Sequence, residues 1–288
     1  MQGRRMKMPF AAEEPSGHGR DDVPIAAQIE RIESHIRAQP TFAAHRWALF
    51  QWLCVTGDWA RAVIQLQTWA KLEPQQTQAA QVYRDLVRAE RWRQKVVAGF
   101  ERPGFVLEPA PWVMELAFAL RLARDGQRGH ADEAREKALD AAPLIAAHTP
   151  RGGASWIADS DSRFGPVCEV MTAGHYRWVP FADLAAWRMA PPANLIDLVW
   201  ASCVLTLTDG STVHGFMPAR YPGSEAATDA LRLGRETAWH EAGRTAVIAH
   251  GQKTWTTDRG DFGLFELAHA QFGSRVADGA TTGEPVDD

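Results

Sequence analysis

Apolar side chains recur at helical spacing through the first half of the chain, and shorter, strand-like runs take over in the second. Trp59, Ala62, Val63, Leu66, Trp69 and Ala70 fall on one face of a 3.6-residue helix. Asp58 is placed to cap its start and Pro74 to mark its end. The preceding segment, 43–56, carries Trp47, Phe50, Leu53 and Cys54 on a wide apolar face, and Gly57 breaks between the two. This predicts a helical hairpin. A second one follows. Trp112, Leu116 and Leu120 form a stripe, Gly126 breaks it, and Ala131, Ala134, Ala138 and Ala141 form the next, stopped by Pro143.

The two hairpins share landmarks. Gly57 and Gly126, Ala62 and Ala131, and Pro74 and Pro143 are each 69 positions apart. That is about two periods of the 34-residue tetratricopeptide repeat. The small residue is needed where paired helices approach to about 8–10 Å. Residues 75–111 then form a degenerate middle unit with a long helix over 75–98, and a helix over 24–38 is half of a preceding unit. An ordinary helical bundle is the plainer alternative. Stacked hairpins of this kind leave a concave groove suited to helices or extended peptides.

After a loop at 149–154 the pattern changes. Residues 204–208 and 211–217 flank Asp209-Gly210 and read as a β-hairpin with a two-residue turn. Residues 245–249, 253–257 and 264–267 are strand candidates, and 167–173 and 175–181 flank Gly174. The first of that pair fits strand or helix. Residues 181–189 show helical spacing, ended by Pro191 and Pro192. The expected fold is multidomain: an N-terminal TPR-like α/α superhelix over 23–148, then a mainly β, barrel-like α+β domain over 149–276. Residues 1–22 are expected to be a disordered lead-in and 277–288 a disordered acidic tail.

Composition changes little in this picture. Hydrophobic residues at 45% and charged residues at 23% give a globular balance. A net charge of −4 gives no sign of nucleic-acid binding. The three cysteines are scattered and form no zinc pattern, which suits a reducing compartment. No apolar run is long enough for a membrane span, and none follows the basic N-terminus as in a signal peptide. The expected location is cytoplasmic, with no membrane insertion.

Three constellations carry candidate chemistry. In the polar stretch Trp156 to Pro166, Asp159 and Asp161 lie two apart, with Arg163 as internal counter-charge. Two carboxylates suit a hard cation or acid–base work. The plainer reading is an Asp–Arg network fixing a turn, because further ligands are missing. Arg220-Tyr221-Pro222-Gly223 suits a tight turn. Arg220 is a candidate partner for Asp159 or Asp161. Ser224 lacks a nucleophile elbow and a placed histidine. Arg84, Arg88, Arg91 and Lys95 line one face of the long helix, as a solvated face or a docking stripe for an acidic partner. No phosphate loop and no metal-ligand pair occurs, so no cofactor is expected.

At these motifs the chain resembles a known family. Leu49 to Trp59, ending in Gly57-Asp58-Trp59, is similar to its first block. Gln81 to Arg84, Ala89-Glu90 and Val97 to Gly99 resemble the second. Trp156 to Pro166 resembles its most diagnostic motif. Gly174 to Phe181, Asp197 to Trp200, Arg220 to Ser224, Glu236 to Trp239, Gly251-Gln252 and Thr257-Asp258 follow in order. The family is ImpE, also called SciE or TagJ. The resemblance implies a non-enzymatic accessory role in bacterial type VI secretion. It implies binding to the N-terminal helix of the small contractile-sheath subunit, and aid to sheath disassembly or recruitment of the sheath-recycling AAA+ ATPase. It carries no catalytic residues. Expected partner-binding residues are Trp47, Trp59, Trp69, Trp112, Arg84, Arg88 and Arg91. The expected structural network is Trp156, Asp159, Asp161, Arg163, Arg220 and Tyr221. Two other readings stay open: an enzyme with a site built from Asp159, Asp161 and Arg220, and a self-associating scaffold using exposed indoles.

Overall fold

Six helices form the first layer of the computed structural model, which describes residues 23–273. The predicted termini, 1–22 and 277–288, lie outside the described residues. The helices are α1 (Ile25–Ala38), α2 (Ala43–Val55), α3 (Trp59–Leu72), α4 (Thr77–Val97), α5 (Pro111–Arg124) and α6 (Arg128–Ala141). Asp58 caps α3 by accepting from the Arg61 N–H at 3.2 Å. The internal repeat shows in the backbone. Gly57 and Gly126 both take the left-handed conformation, with φ of 71° and 74°. Ala62 and Ala131 are both buried where the paired helices meet. The middle unit supplies α4 alone and then passes into a short strand.

Fourteen strands lie among the described residues, β1 ahead of α5 and the others after α6: β1 (Gly104–Phe105), β2 (Ala147–Thr149), β3 (Gly152–Ala154), β4 (Ile157–Asp159), β5 (Val167–Thr172), β6 (His175–Pro180), β7 (Leu184–Met189), β8 (Trp200–Leu207), β9 (Thr212–Pro218), β10 (Thr237–Glu241), β11 (Val247–Gly251), β12 (Thr254–Thr257), β13 (Gly260–Gly263) and β14 (His269–Phe272). A one-turn helix, α7 (Asp229–Arg232), interrupts them. Nine strands make the main sheet in the order β1-β6-β5-β9-β8-β7-β14-β2-β3, antiparallel except where β1 joins β6. β13-β12-β4 and β10-β11 are separate small sheets. No barrel closes among the described residues, so the barrel-like expectation gives way to an open sheet.

The sheet has a core on each face. Val167 and Met171 of β5 point to the helices, sharing a core with Phe50, Leu86 and Trp200. Cys168 and Val170 point the other way, to Trp187, Leu205 and Trp255. A strand buried on both faces reads as a continuous apolar run, which is why 167–173 was ambiguous as sequence.

Four sequence expectations change. The 149–154 loop is the β2–β3 hairpin. The β8–β9 turn is a three-residue loop with Gly210 at φ 83°, not a two-residue turn. That is a type I turn followed by a left-handed residue. Residues 264–267 form a 3-10 turn rather than a strand. Residues 181–189 hold a 3-10 turn and then strand β7, not a helix. The register of β7 against β8 shifts between Leu184 and Ala186. One extra residue in a strand lets Leu184 and Trp187 face the same core, and that spacing of three imitates a helix.

Candidate functional site

Polar chemistry concentrates where α4 crosses the sheet. The inner face of α4 carries Glu90 and Arg93, three apart and both buried. The centre of β5 carries Glu169 on the face that meets them. Arg93 grips Glu169 with two parallel bonds, Nε to Oε1 at 2.7 Å and Nη2 to Oε2 at 3.0 Å. Its Nη1 donates to Glu90 at 3.0 Å, and Glu90 also accepts from the Trp200 indole at 3.1 Å. The Tyr176 hydroxyl donates to Glu169 at 2.6 Å.

Lys253 continues the chain of charges. Its ammonium lies 2.7 Å from Glu169 and also pairs with Asp159, and all three side chains are 0% exposed. The rings of Phe164 and Tyr221 lie 4.5 Å and 5.0 Å from the ammonium, a cation–π setting. Asp159 also accepts from the Tyr221 hydroxyl at 2.7 Å and the Asp161 N–H at 2.9 Å. The Tyr221 oxygen accepts from the Thr254 N–H at 3.0 Å.

The two carboxylates beside Lys253 behave differently. Burial alone would raise Glu169, but Arg93 and Lys253 together more than offset it and hold the carboxyl at about 2. Burial dominates at Asp159 and carries it up to about 6 despite Lys253. Such a divergent pair is what acid–base sites use. Here it is sealed: no carboxylate oxygen of either group reaches solvent.

The remaining predicted network residues do other work. Asp161 binds Arg163, with Nη2 to Oδ2 at 2.5 Å, and accepts from the Ala249 N–H at 2.9 Å. Arg220 meets neither aspartate, which corrects the suggested pairing. Its guanidinium reaches into the helical half instead, donating to the carbonyls of Val55 at 2.9 Å and Cys54 at 3.3 Å, where α2 ends, and to that of Arg232. Terminal carbonyls of a helix lack internal partners, and a buried cation meets that need. Asp159, Asp161 and Arg220 therefore do not converge at an open pocket, which removes the geometry the enzyme reading required. Ser224 is fully buried, donating to the Tyr221 carbonyl at 2.6 Å and accepting from the Gly251 N–H at 2.7 Å. Among the described residues no group of three metal-ligating side chains comes together.

Arg220→Met is expected to lower stability by about 2 kcal/mol in urea unfolding, since bonds to charged donors contribute about 1.5–3 kcal/mol and the α2 carbonyls lose theirs. An unchanged midpoint would show that the cap contributes nothing.

Of the predicted partner-binding residues, the four tryptophans belong to internal packing. Trp47 lies 4.6 Å from the Trp69 ring and 5.1 Å from Tyr83. Trp59 stacks on Trp200 at 5.9 Å, and Trp112 is buried. Arg84, Arg88 and Arg91 are exposed on the outer face of α4. Arg88 pairs with Asp85 at 3.2 Å and donates to the Gly174 carbonyl in the β5–β6 turn. Beside them Trp92 is 40% exposed and Phe100 67%. Trp156 is half-buried at the rim of an apolar cavity of about 350 Å³ with Leu139 and Leu144.

Sequence reasoning missed Arg93, Glu169 and Lys253. The one available signal was Glu169 itself, a lone acid inside the apolar run Val167 to Met171.

Fold and site define a helical-hairpin repeat joined through a buried ionic seam to an open, mainly antiparallel sheet. The comparisons make this specific. A family model described as ImpE protein matches residues 152–271. The type VI secretion system accessory component TagJ of Pseudomonas aeruginosa is 37% identical over 245 residues, covering 85% of this chain and 86% of that protein. A crystal structure of protein VPA1032 from Vibrio parahaemolyticus has the same fold, with a TM-score of 0.81 at 25% identity over 88% of this chain and 95% of that one. The chain belongs to the ImpE/TagJ family of type VI secretion accessory components. No helix among the described residues is long and apolar enough to cross a membrane.

Proposed function

We propose that the chain is a cytoplasmic, non-enzymatic adaptor that binds the N-terminal helix of the small contractile-sheath subunit. In this reading it aids sheath disassembly or brings the AAA+ ATPase to the sheath. Family membership supports the secretion role. The observation that carries the adaptor reading is the outer face of α4, where exposed Arg84, Arg88 and Arg91 adjoin exposed Trp92. An amphipathic helix with an acidic flank suits such a face: apolar anchors supply affinity, and the arginines steer approach.

Titration of a labelled peptide from that sheath helix should saturate, and a scrambled peptide should not bind. Failure of the intact peptide at high micromolar protein would sink the reading. Arg88→Ala should weaken binding more at low salt than at high salt, because exposed charges are screened over about 10 Å at 0.1 M. Equal losses at both salts would reject the steering role.

A further inference from the structure

Between the α5–α6 hairpin and the β10–β11 ribbon lies a cavity of about 230 Å³ that the buried seam does not use. Leu120 and Ile248 give it apolar walls, and four arginines are among its lining residues: Arg124, Arg128, Arg135 and Arg163. Three of these have carboxylate partners. Arg124 pairs with Asp125 at 2.7 Å, Arg135 with Asp132 at 2.9 Å and Arg163 with Asp161 at 2.5 Å. No ion pair among the described residues involves Arg128.

Asp132 is the one acid in the lining, and its oxygens are already taken. It accepts from the Arg244 N–H at 2.9 Å, the Thr245 N–H at 3.1 Å and the Thr245 hydroxyl at 2.8 Å, besides Arg135. Burial works against its charge, yet these donors hold its carboxyl at about 2. It is a committed anion, and of the four arginines only Arg128 is left without a carboxylate.

Arg135 is the second observation. It is 3% exposed, and its Nη1 is held by Asp132 and Thr245. Its buried Nε has no hydrogen-bond partner. A buried donor without an acceptor is costly, so a native structure that keeps one calls for an explanation. Arg128, Asp132 and Arg135 all lie on α6, whose N-terminus has no side-chain cap and presents the positive end of the helix dipole to the same region.

We infer that this cavity is an anion subsite for a carboxylate or phosphate group carried on a short apolar stem. Arg128 and Arg135 hold the anion, and Leu120 and Ile248 hold the stem. Small-molecule sites usually run about 300–1,000 Å³, so this one takes a fragment such as a single acidic side chain or a small organic acid rather than a nucleotide.

Fluorine NMR of 4-fluorobenzoate with the full chain tests this, with 4-fluorobenzyl alcohol as the neutral control. The acid should show saturable broadening and the alcohol none. Arg128→Gln should weaken the acid roughly tenfold, the equivalent of one charged contact. Arg121→Gln, the same charge change on α5 outside the cavity, should leave it unaltered. Displacement by inorganic phosphate would assign the site to phosphate-bearing ligands; persistence of the probe would assign it to carboxylates. No binding by a folded chain, equal binding of the alcohol, or equal losses in the two variants would overturn the inference.

Discussion

Glu169→Ala is expected to destabilise the chain severely. Glu169 joins Arg93 on α4 to Lys253 beside β12, with no exposure to water. Its removal leaves two buried cations sharing only Glu90 and Asp159. Breaking a buried pair by deleting one partner costs about 3–5 kcal/mol. For a domain of this size that lowers the melting temperature by roughly 10 °C. Melts followed by circular dichroism would show it. Arg151→Ala, which breaks the exposed pair with Glu266, should change almost nothing, because surface pairs contribute about 0–1 kcal/mol. The gap between parent and variant should also depend on pH. Glu169 is held at about 2, below its ordinary 4.5, so its ionised form favours folding. That contribution is complete above 4.5 and is lost as pH falls toward 2. The two melting curves should therefore converge on acidification. A gap independent of pH would mean that packing, not charge, holds Glu169 in place.

Lys253→Met should be comparably severe near neutral pH, with the opposite pH response. It leaves Asp159 and Glu169 facing each other without their shared cation. Asp159 already sits at about 6, above its ordinary 3.8, because burial opposes its charge. Without the ammonium its carboxyl rises further. The folded chain then keeps a proton that the unfolded chain has released, so folding takes up a proton. Stability should increase as pH falls from about 8 toward about 4, more steeply than in the parent. The cost near pH 8 should be about 3–5 kcal/mol. A variant equally unstable at pH 8 and pH 5 would contradict the placement of Lys253 between two carboxylates.

These expectations rest on residues the sequence did not reveal. The helical half was legible because periodicity, glycine breaks and the 69-residue offset all gave the same answer. The sheet was partly legible. Its hairpin around Gly210 announced itself, while the bulge in β7 displaced one residue and imitated a helical stripe. The ionic seam was not legible. Arg93, Glu169 and Lys253 are separated by about eighty residues at each step, and nothing local pairs them. Arg220 shows the same limit from the other side. Its motif was recognised, but its partners are backbone carbonyls of α2, which carry no sequence signal. The exposed arginines of α4 were read in place, while the tryptophans expected beside them as anchors are taken up in internal packing.

The seam also bears on how the adaptor would work. It fixes α4 from below, through Arg93 and Glu90, while the outer face of the same helix carries Arg84, Arg88 and Arg91. A docking face on a helix anchored in this way is held rigid before its partner arrives, which lowers the entropic cost of binding.

Hydrogen exchange of the chain with and without the cognate small sheath subunit tests that claim most directly. New protection should appear along α4 and the adjoining 98–102 turn, and should be lost in the Arg88→Ala, Arg91→Ala double variant. Protection confined to β10–β11 or α1, with α4 unchanged, would contradict it.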